Sequence, residues 1–180
     1  ETEAYETFIK IFDTEISTRT VKALKIFGDK TGINGMLGGQ SADVLHTGEI
    51  ISDELLYYIY EKKTGALIEG AMLTGSVLAG CNDEDLAKIK RVGELVGLAF
   101  QIKDDILDIY GNEKEIGKPL HSDEKNNKKT YITINGIEKS EHDIVVMSEE
   151  ACDIVSSLGN DVEERDFIIK LIKYLTDRTY

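Results

Sequence analysis

The stretch from Phe100 to Asp108 holds three carboxylates, Asp104, Asp105 and Asp108, inside an otherwise apolar run. Spacings of three and four bring all three toward one side of a helix, with Gln101 one turn earlier. Like charges placed this way destabilise an isolated helix by about 0.2–0.5 kcal/mol per pair, so a cation is needed to offset them. Carboxylate oxygens suit a hard divalent ion, and magnesium is usually held by one or two carboxylates together with substrate phosphates. That pairing points to a phosphorylated substrate. The plain alternative is a solvated acidic face. Against it stand Val92, Leu95, Val96, Ala99, Ile102, Ile106 and Ile109, too much apolar surface for an exposed stripe. The acids are therefore expected to line a cavity wall.

Cations are available at two places. Lys62-Lys63-Thr64-Gly65 falls inside a predicted helix whose next turns are apolar, and Gly117-Lys118-Pro119 and Asn127-Lys128-Lys129-Thr130-Tyr131 fall in a polar segment without periodicity. The second reads as a mobile loop that carries lysines toward the acidic cluster. Taken singly, each lysine reads as a snorkelling or solvated side chain. Only the combination with the acids suggests chemistry. His46, His121 and His142 are scattered without a metal-binding spacing and are assigned none.

The elements that must position these residues read as helices. Tyr5, Phe8, Ile9, Phe12 and Ile16 recur at helical spacing in an opening segment that does not begin with Met and reads like the interior of a helix, as in a fragment. Ser17 or Thr18 caps a helix through Val21, Leu24, Ile26 and Phe27, and Ser52 caps another that runs on to Leu78, with Gly80 as its stop. Asn82 with Asp83, Glu84 and Asp85 supplies a cap and first-turn acids for the helix bearing the aspartate cluster. Amphipathic helices over about 138–157 and 162–177 close the chain. With one proline, no alternating strand and no low-complexity linker, the pattern is that of a single all-α unit. Glycines at 28, 32, 35 and 39, at 93 and 97, and at 65, 70 and 75 interrupt these helices at about 1 kcal/mol each relative to Ala. Close helix approach, local bends or room for a ligand would each account for them.

Composition narrows the partners. The 180 residues carry 34 acidic against 21 basic side chains, a net charge of −13, which disfavours general binding to nucleic acid or an anionic membrane. An anionic substrate then needs a local basic site or bridging metal. Cys81 and Cys152 lie in different segments without a CxxC spacing, so a reducing cytoplasm is the default. No run of about 18 apolar residues is present to span a bilayer. No phosphate-binding glycine loop of the nucleotide-fold types occurs either.

Gly38-Gly39-Gln40 with Asp43, Lys63-Thr64-Gly65, Gly97-Leu98-Ala99-Phe100-Gln101 followed by Asp104-Asp105-Ile106-Leu107-Asp108, Gly117-Lys118, Ser122-Asp123 and Lys128-Lys129-Thr130-Tyr131 follow one another in order. In that order and approximate spacing the chain resembles the trans-isoprenyl diphosphate synthases, such as farnesyl and geranylgeranyl diphosphate synthases. The resemblance runs from about residue 2 to the C-terminus, where Tyr174-Leu175-Thr176-Asp177-Arg178 is similar to the family's native end. It implies an all-α, isoprenoid-synthase-like helical bundle, incomplete at the N-terminus, with residues 1–180 as the C-terminal part of one helical domain.

It also implies a prenyltransferase of the geranyltranstransferase type, which joins isopentenyl diphosphate to an allylic diphosphate with Mg2+. Asp104, with Asp105 and Asp108 directly or through water, would hold magnesium on the leaving diphosphate. Lys63, Lys118 and Lys128 would balance the remaining charge. Thr64 and Gln101 match positions that stabilise the cation with uncharged dipoles, and Gln40 and Asp43 match a GQxxD element placed behind the site or in its wall. A homodimer in the cytoplasm is expected, without nucleic-acid or integral membrane contact.

One departure is large. The family's first aspartate-rich motif, with its following arginines, lies upstream of Glu1, so this chain alone is expected to have little or no activity. The alternative from another class is a non-catalytic helical partner that modulates a full-length synthase. Such a protein need not keep Asp104, Asp105, Asp108, Lys63 and Lys118, which weighs against it.

Overall fold

The computed structural model describes residues 2–14, 16–111, 128–159 and 162–178. Their regular elements are all helices, with no strand among the described residues. Helix α1 (Thr2–Ile9) tightens into a 3-10 turn at Lys10–Asp13. Its Tyr5 and Phe8 rings pack on Phe27 of α2 (Thr18–Thr31), with centroids 4.8 and 5.5 Å apart. Ser17 caps α2 reciprocally with Thr20: the Thr20 N–H donates to Ser17 Oγ at 3.2 Å and the Ser17 N–H to Thr20 Oγ1 at 2.9 Å. After Gly32 and Gly35, α3 (Met36–Leu45) follows.

The rod expected from Ser52 to Leu78 is present, but it is not wound uniformly. Ser52 caps α4 (Asp53–Ile59), Tyr60–Gly65 is π-helical, and α5 (Ala66–Ala79) completes the rod at Gly80, whose φ of 84° suits glycine. The π segment carries Lys63 and Thr64. Helices press on it from two sides. A Cβ on Gly39 of α3 would come within 2.2 Å of the Lys63 backbone nitrogen, and one on Gly97 within 2.6 Å of the Gly65 Cα. Close approach thus accounts for these two glycines.

Helix α6 (Asp83–Tyr110), 28 residues and about 42 Å long, is the axis on which the rest packs. Asn82 caps it by accepting the Asp85 N–H at 2.9 Å. Around its C-terminal half, Ile102, Ala99 and Ile106 bury against Leu56, Ile59, Tyr60, Tyr131 and Ile144. Around its N-terminal half, Val92, Leu95 and Val96 bury against Ala151, Val155 and Ile172. The latter residues come from α8 (Ile137–Ser156) and α9 (Val162–Asp177), close to the expected bounds. A short helix that periodicity does not reveal, α7 (Tyr131–Asn135), is capped by Thr130 and lies against α6 and α8. No helix among the described residues is long and apolar enough to cross a membrane.

Candidate active site

At the C-terminal end of α6, a cleft of about 230 Å³ opens between α3, the π segment and the stretch leading into α7. Its lining brings together Asp43, Lys63, Gln101, Asp104, Asp105 and Lys128, residues up to 85 positions apart in the chain.

Two lysines share one acid. Lys63 Nζ donates to Asp43 Oδ2 at 2.7 Å and Lys128 Nζ to Asp43 Oδ1 at 2.8 Å. Burial pushes the Asp43 carboxyl up, but the hydrogen bonds and charges of Lys128 and Lys63 outweigh it and hold the group below its ordinary range. The carboxylate is therefore ionised at neutral pH, and the trio carries a net positive charge. An ammonium has three donors, so each lysine keeps capacity for an anion while it stays on Asp43.

Beside the lysines, the Thr64 hydroxyl donates to Gln101 Oε1 at 3.0 Å, which joins the π segment to α6 with two uncharged dipoles. Gln101 lines the cleft. Gln40, one turn before Asp43, is half-buried and stands outside the lining.

The three aspartates are not equivalent. Asp104 is partly exposed and faces the cleft, and Arg178 Nη2 reaches its Oδ1 at 3.1 Å. The same guanidinium lies 3.9 Å over the Phe100 ring. Asp105 lines the cleft but is 4% exposed. Its Oδ2 accepts the Tyr60 hydroxyl at 2.5 Å and the Tyr131 backbone N–H at 3.0 Å. Asp108 is 1% exposed and lies outside the lining. Lys118, Ser122 and Asp123 fall outside the described residues.

Several contributors received no role in the sequence reading, although Lys129 and Tyr131 stand in one of its motifs. Tyr60 and Tyr131 are buried, and a buried tyrosine hydroxyl normally finds a partner, which is the one signal that could have flagged them. Tyr131 donates to Asp143 at 2.6 Å; burial, then this bond and the Asp143 charge, push its hydroxyl well up. Lys129 ties to the Ile51 carbonyl at 3.0 Å and to Asp53. His46 lines the cleft and lies 2.7 Å from Glu49.

Donor chemistry in the cleft suits magnesium held mainly by substrate oxygens and water. Among the described residues no three His, Cys, Asp or Glu side chains converge to hold a metal by themselves. The partly exposed Asp104 carboxylate, with the lysine pair in the same cleft, matches an ion that keeps one or two protein oxygens and completes its shell from phosphate.

The polyprenyl synthetase family profile matches residues 1–170. This chain belongs to that family. Farnesyl diphosphate synthase of Bacillus subtilis is 30% identical over 182 residues, which take in 99% of this chain and 60% of that enzyme. Geranylgeranyl pyrophosphate synthetase from Pyrococcus horikoshii superposes with a TM-score of 0.81 at 23% identity, over 98% of this chain and 64% of the other, and shares its all-helical isoprenoid synthase fold. A geranyltransferase from Helicobacter pylori, solved with magnesium and isoprenyl diphosphate, superposes with a TM-score of 0.74 at 25% identity, over 93% of this chain and 55% of its own. The polyprenyl synthetase chain described here thus spans between half and two thirds of the length of these relatives.

Proposed function

We propose that the cleft is the diphosphate end of a trans-prenyltransferase that condenses isopentenyl diphosphate with an allylic diphosphate, as in the farnesyl and geranylgeranyl diphosphate synthases it is related to. The observation that carries this reading is one cleft shared by the Lys63–Asp43–Lys128 trio, the Thr64–Gln101 pair and the cleft-facing Asp104 carboxylate. Magnesium, when bound through Asp104, with Asp105 and Asp108 as further family positions, would polarise the diphosphate and neutralise the leaving group.

The chain's own residues do the rest. Lys63 and Lys128 offer their remaining N–H donors to phosphoryl oxygens, and Asp43 fixes the separation between them. Lys118 would join them from its segment. Thr64 and Gln101 present dipoles, not charges, to the carbon that becomes electron-poor as the diphosphate leaves. A full anion there would trap it, whereas oriented dipoles stabilise it without bonding. Gln40 supports the wall from α3.

In this reading residues 1–180 are the C-terminal part of a single helical domain that works as a homodimer. Free Cys81 and Cys152 support a cytoplasmic setting. The family's first aspartate motif is missing from this chain, and with it the ligands of the remaining magnesium ions, so the chain alone is expected to form little product.

The test is magnesium-dependent binding of pyrophosphate, followed by calorimetry. Binding that needs magnesium and disappears in Asp104→Ala supports the reading. Absence of any pyrophosphate affinity in the unmodified chain would refute it and favour a non-catalytic helical partner of a full-length synthase. Prenyl transfer from geranyl diphosphate and labelled isopentenyl diphosphate then checks the expected inactivity, which magnesium-dependent product would overturn.

A further inference from the structure

Asp105 belongs by spacing to the metal-type cluster, yet its described bonds run to the protein. Its Oδ2 accepts the Tyr60 hydroxyl at 2.5 Å and the Tyr131 N–H at 3.0 Å, and the Tyr60 oxygen lies 3.2 Å from that same N–H. All three residues are buried, at 4%, 5% and 7% exposure for Asp105, Tyr60 and Tyr131. A carboxylate oxygen, a phenol and a backbone amide thus close a small ring away from bulk water.

Tyr131 is the first residue of α7, so its N–H has no partner within that helix. The Thr130 cap is spent on the Thr133 N–H. Asp105 therefore supplies what α7 cannot supply for itself. Three residues upstream, Lys128 reaches Asp43 in the cleft, and Lys129 reaches the Ile51 carbonyl. Those two ties are made by long, partly exposed lysine side chains. The tie at Tyr131 is made by the backbone itself and is buried.

We propose that Asp105 is a positioning residue that, with Tyr60, clamps the backbone at Tyr131 and so sets where Lys128 stands in the cleft. Its work is then to hold the lysine-bearing segment against α6 while Asp104 faces the metal and the diphosphate. The clamp stands on its own geometry; its consequence for diphosphate binding rests on the function proposed above.

The decisive measurement is hydrogen exchange of the 130–135 amides in the full chain without ligand. Asp105→Ala is expected to lower the protection of the Tyr131 amide at least about tenfold, and Tyr60→Phe to lower it by less. Asp105→Asn, whose amide oxygen can still accept both bonds, should restore much of it, and Asp104→Ala should leave it unchanged. A second measurement follows Mn2+ bound with pyrophosphate by electron paramagnetic resonance. Asp104→Asn should lose most of the affinity, and Asp105→Asn at least about tenfold less than that.

Unchanged Tyr131 exchange in both Asp105→Ala and Tyr60→Phe would overturn the clamp. So would a loss of Mn2+ affinity in Asp105→Asn as large as in Asp104→Asn. If Asp105→Ala does not fold, Tyr60→Phe and Asp105→Asn decide the question. Should the unmodified chain bind no pyrophosphate, the proposed function fails and the exchange result still decides the clamp.

Discussion

Helix α6 carries three clustered carboxylates at each end, and the two clusters meet opposite physical conditions. At the N-terminal end, Asp83, Glu84 and Asp85 occupy the first turn, where the helix dipole favours negative charge. Lys22 lies 3.1 Å from Asp83, and Lys88 lies 3.1 Å from Glu84 and 3.4 Å from Asp85. Dipole and lysines both offset the repulsion among the three acids. Toward the C-terminal end, Asp105 and Asp108 are buried, and Asp108 sits in the last turn, where the dipole disfavours an anion. Burial of a carboxylate costs several kcal/mol unless hydrogen bonds and charges offset it. The same residue type therefore stabilises the fold at one end and is tolerated at the other, and the tolerated cluster is the one whose Asp104 and Asp105 line the cleft.

The contrast can be broken in order of size. Asp104→Ala should lower magnesium-dependent pyrophosphate affinity by more than about 100-fold, while Asp83→Ala leaves it unchanged; calorimetric titration of both variants checks this, and equal losses would erase the distinction. Tyr60→Phe removes a hydrogen bond to the buried Asp105 and should destabilise the fold by about 1.5–3 kcal/mol, read from urea unfolding. At the other end, Asn82→Ala should cost about 1 kcal/mol through the lost cap and leave pyrophosphate affinity intact.

The smallest effect is in pH dependence. Asp43 has a folded pKa held below its ordinary 3.8, so its contribution to stability is complete above that value and is lost as pH falls through the lower folded one. Asp43→Asn should therefore lose less stability than the unmodified chain on acidification from about pH 4 to about pH 2, measured by thermal unfolding. An identical acid limb would remove Asp43 from the account.

What the sequence made legible follows from how local each signal is. The caps at Ser17, Ser52 and Asn82 act within three residues of themselves, and α8 and α9 have clean helical periodicity, so these elements stand where the pattern puts them. The apolar flanks of the C-terminal acids of α6 point to a cavity wall, which Asp104 and Asp105 line and Asp108 does not. The acids' division of labour was not legible, because the partners of Asp105 come from Tyr60 and Tyr131, 45 and 26 residues away. The sharing of Asp43 by Lys63 and Lys128 depends likewise on tertiary contact. Arg178 follows the last residue of an amphipathic helix and gave no sign of reaching Asp104. The π winding at Tyr60–Gly65 has no local signature either, since two neighbouring helices crowd it at Gly39 and Gly97.

That wider winding makes the Asp53–Ala79 rod two helices with a phase offset between them. In regular α-winding each residue advances the side-chain direction by about 100°. A one-residue deletion within Tyr60–Gly65 would be absorbed as ordinary helix without severing the rod, yet everything on one side would turn relative to the other. Tyr60 could not then stay on Asp105 while Lys63 stayed on Asp43. The segment works as a rotational coupling, and a change in its length would misalign two sets of contacts without removing a single functional side chain.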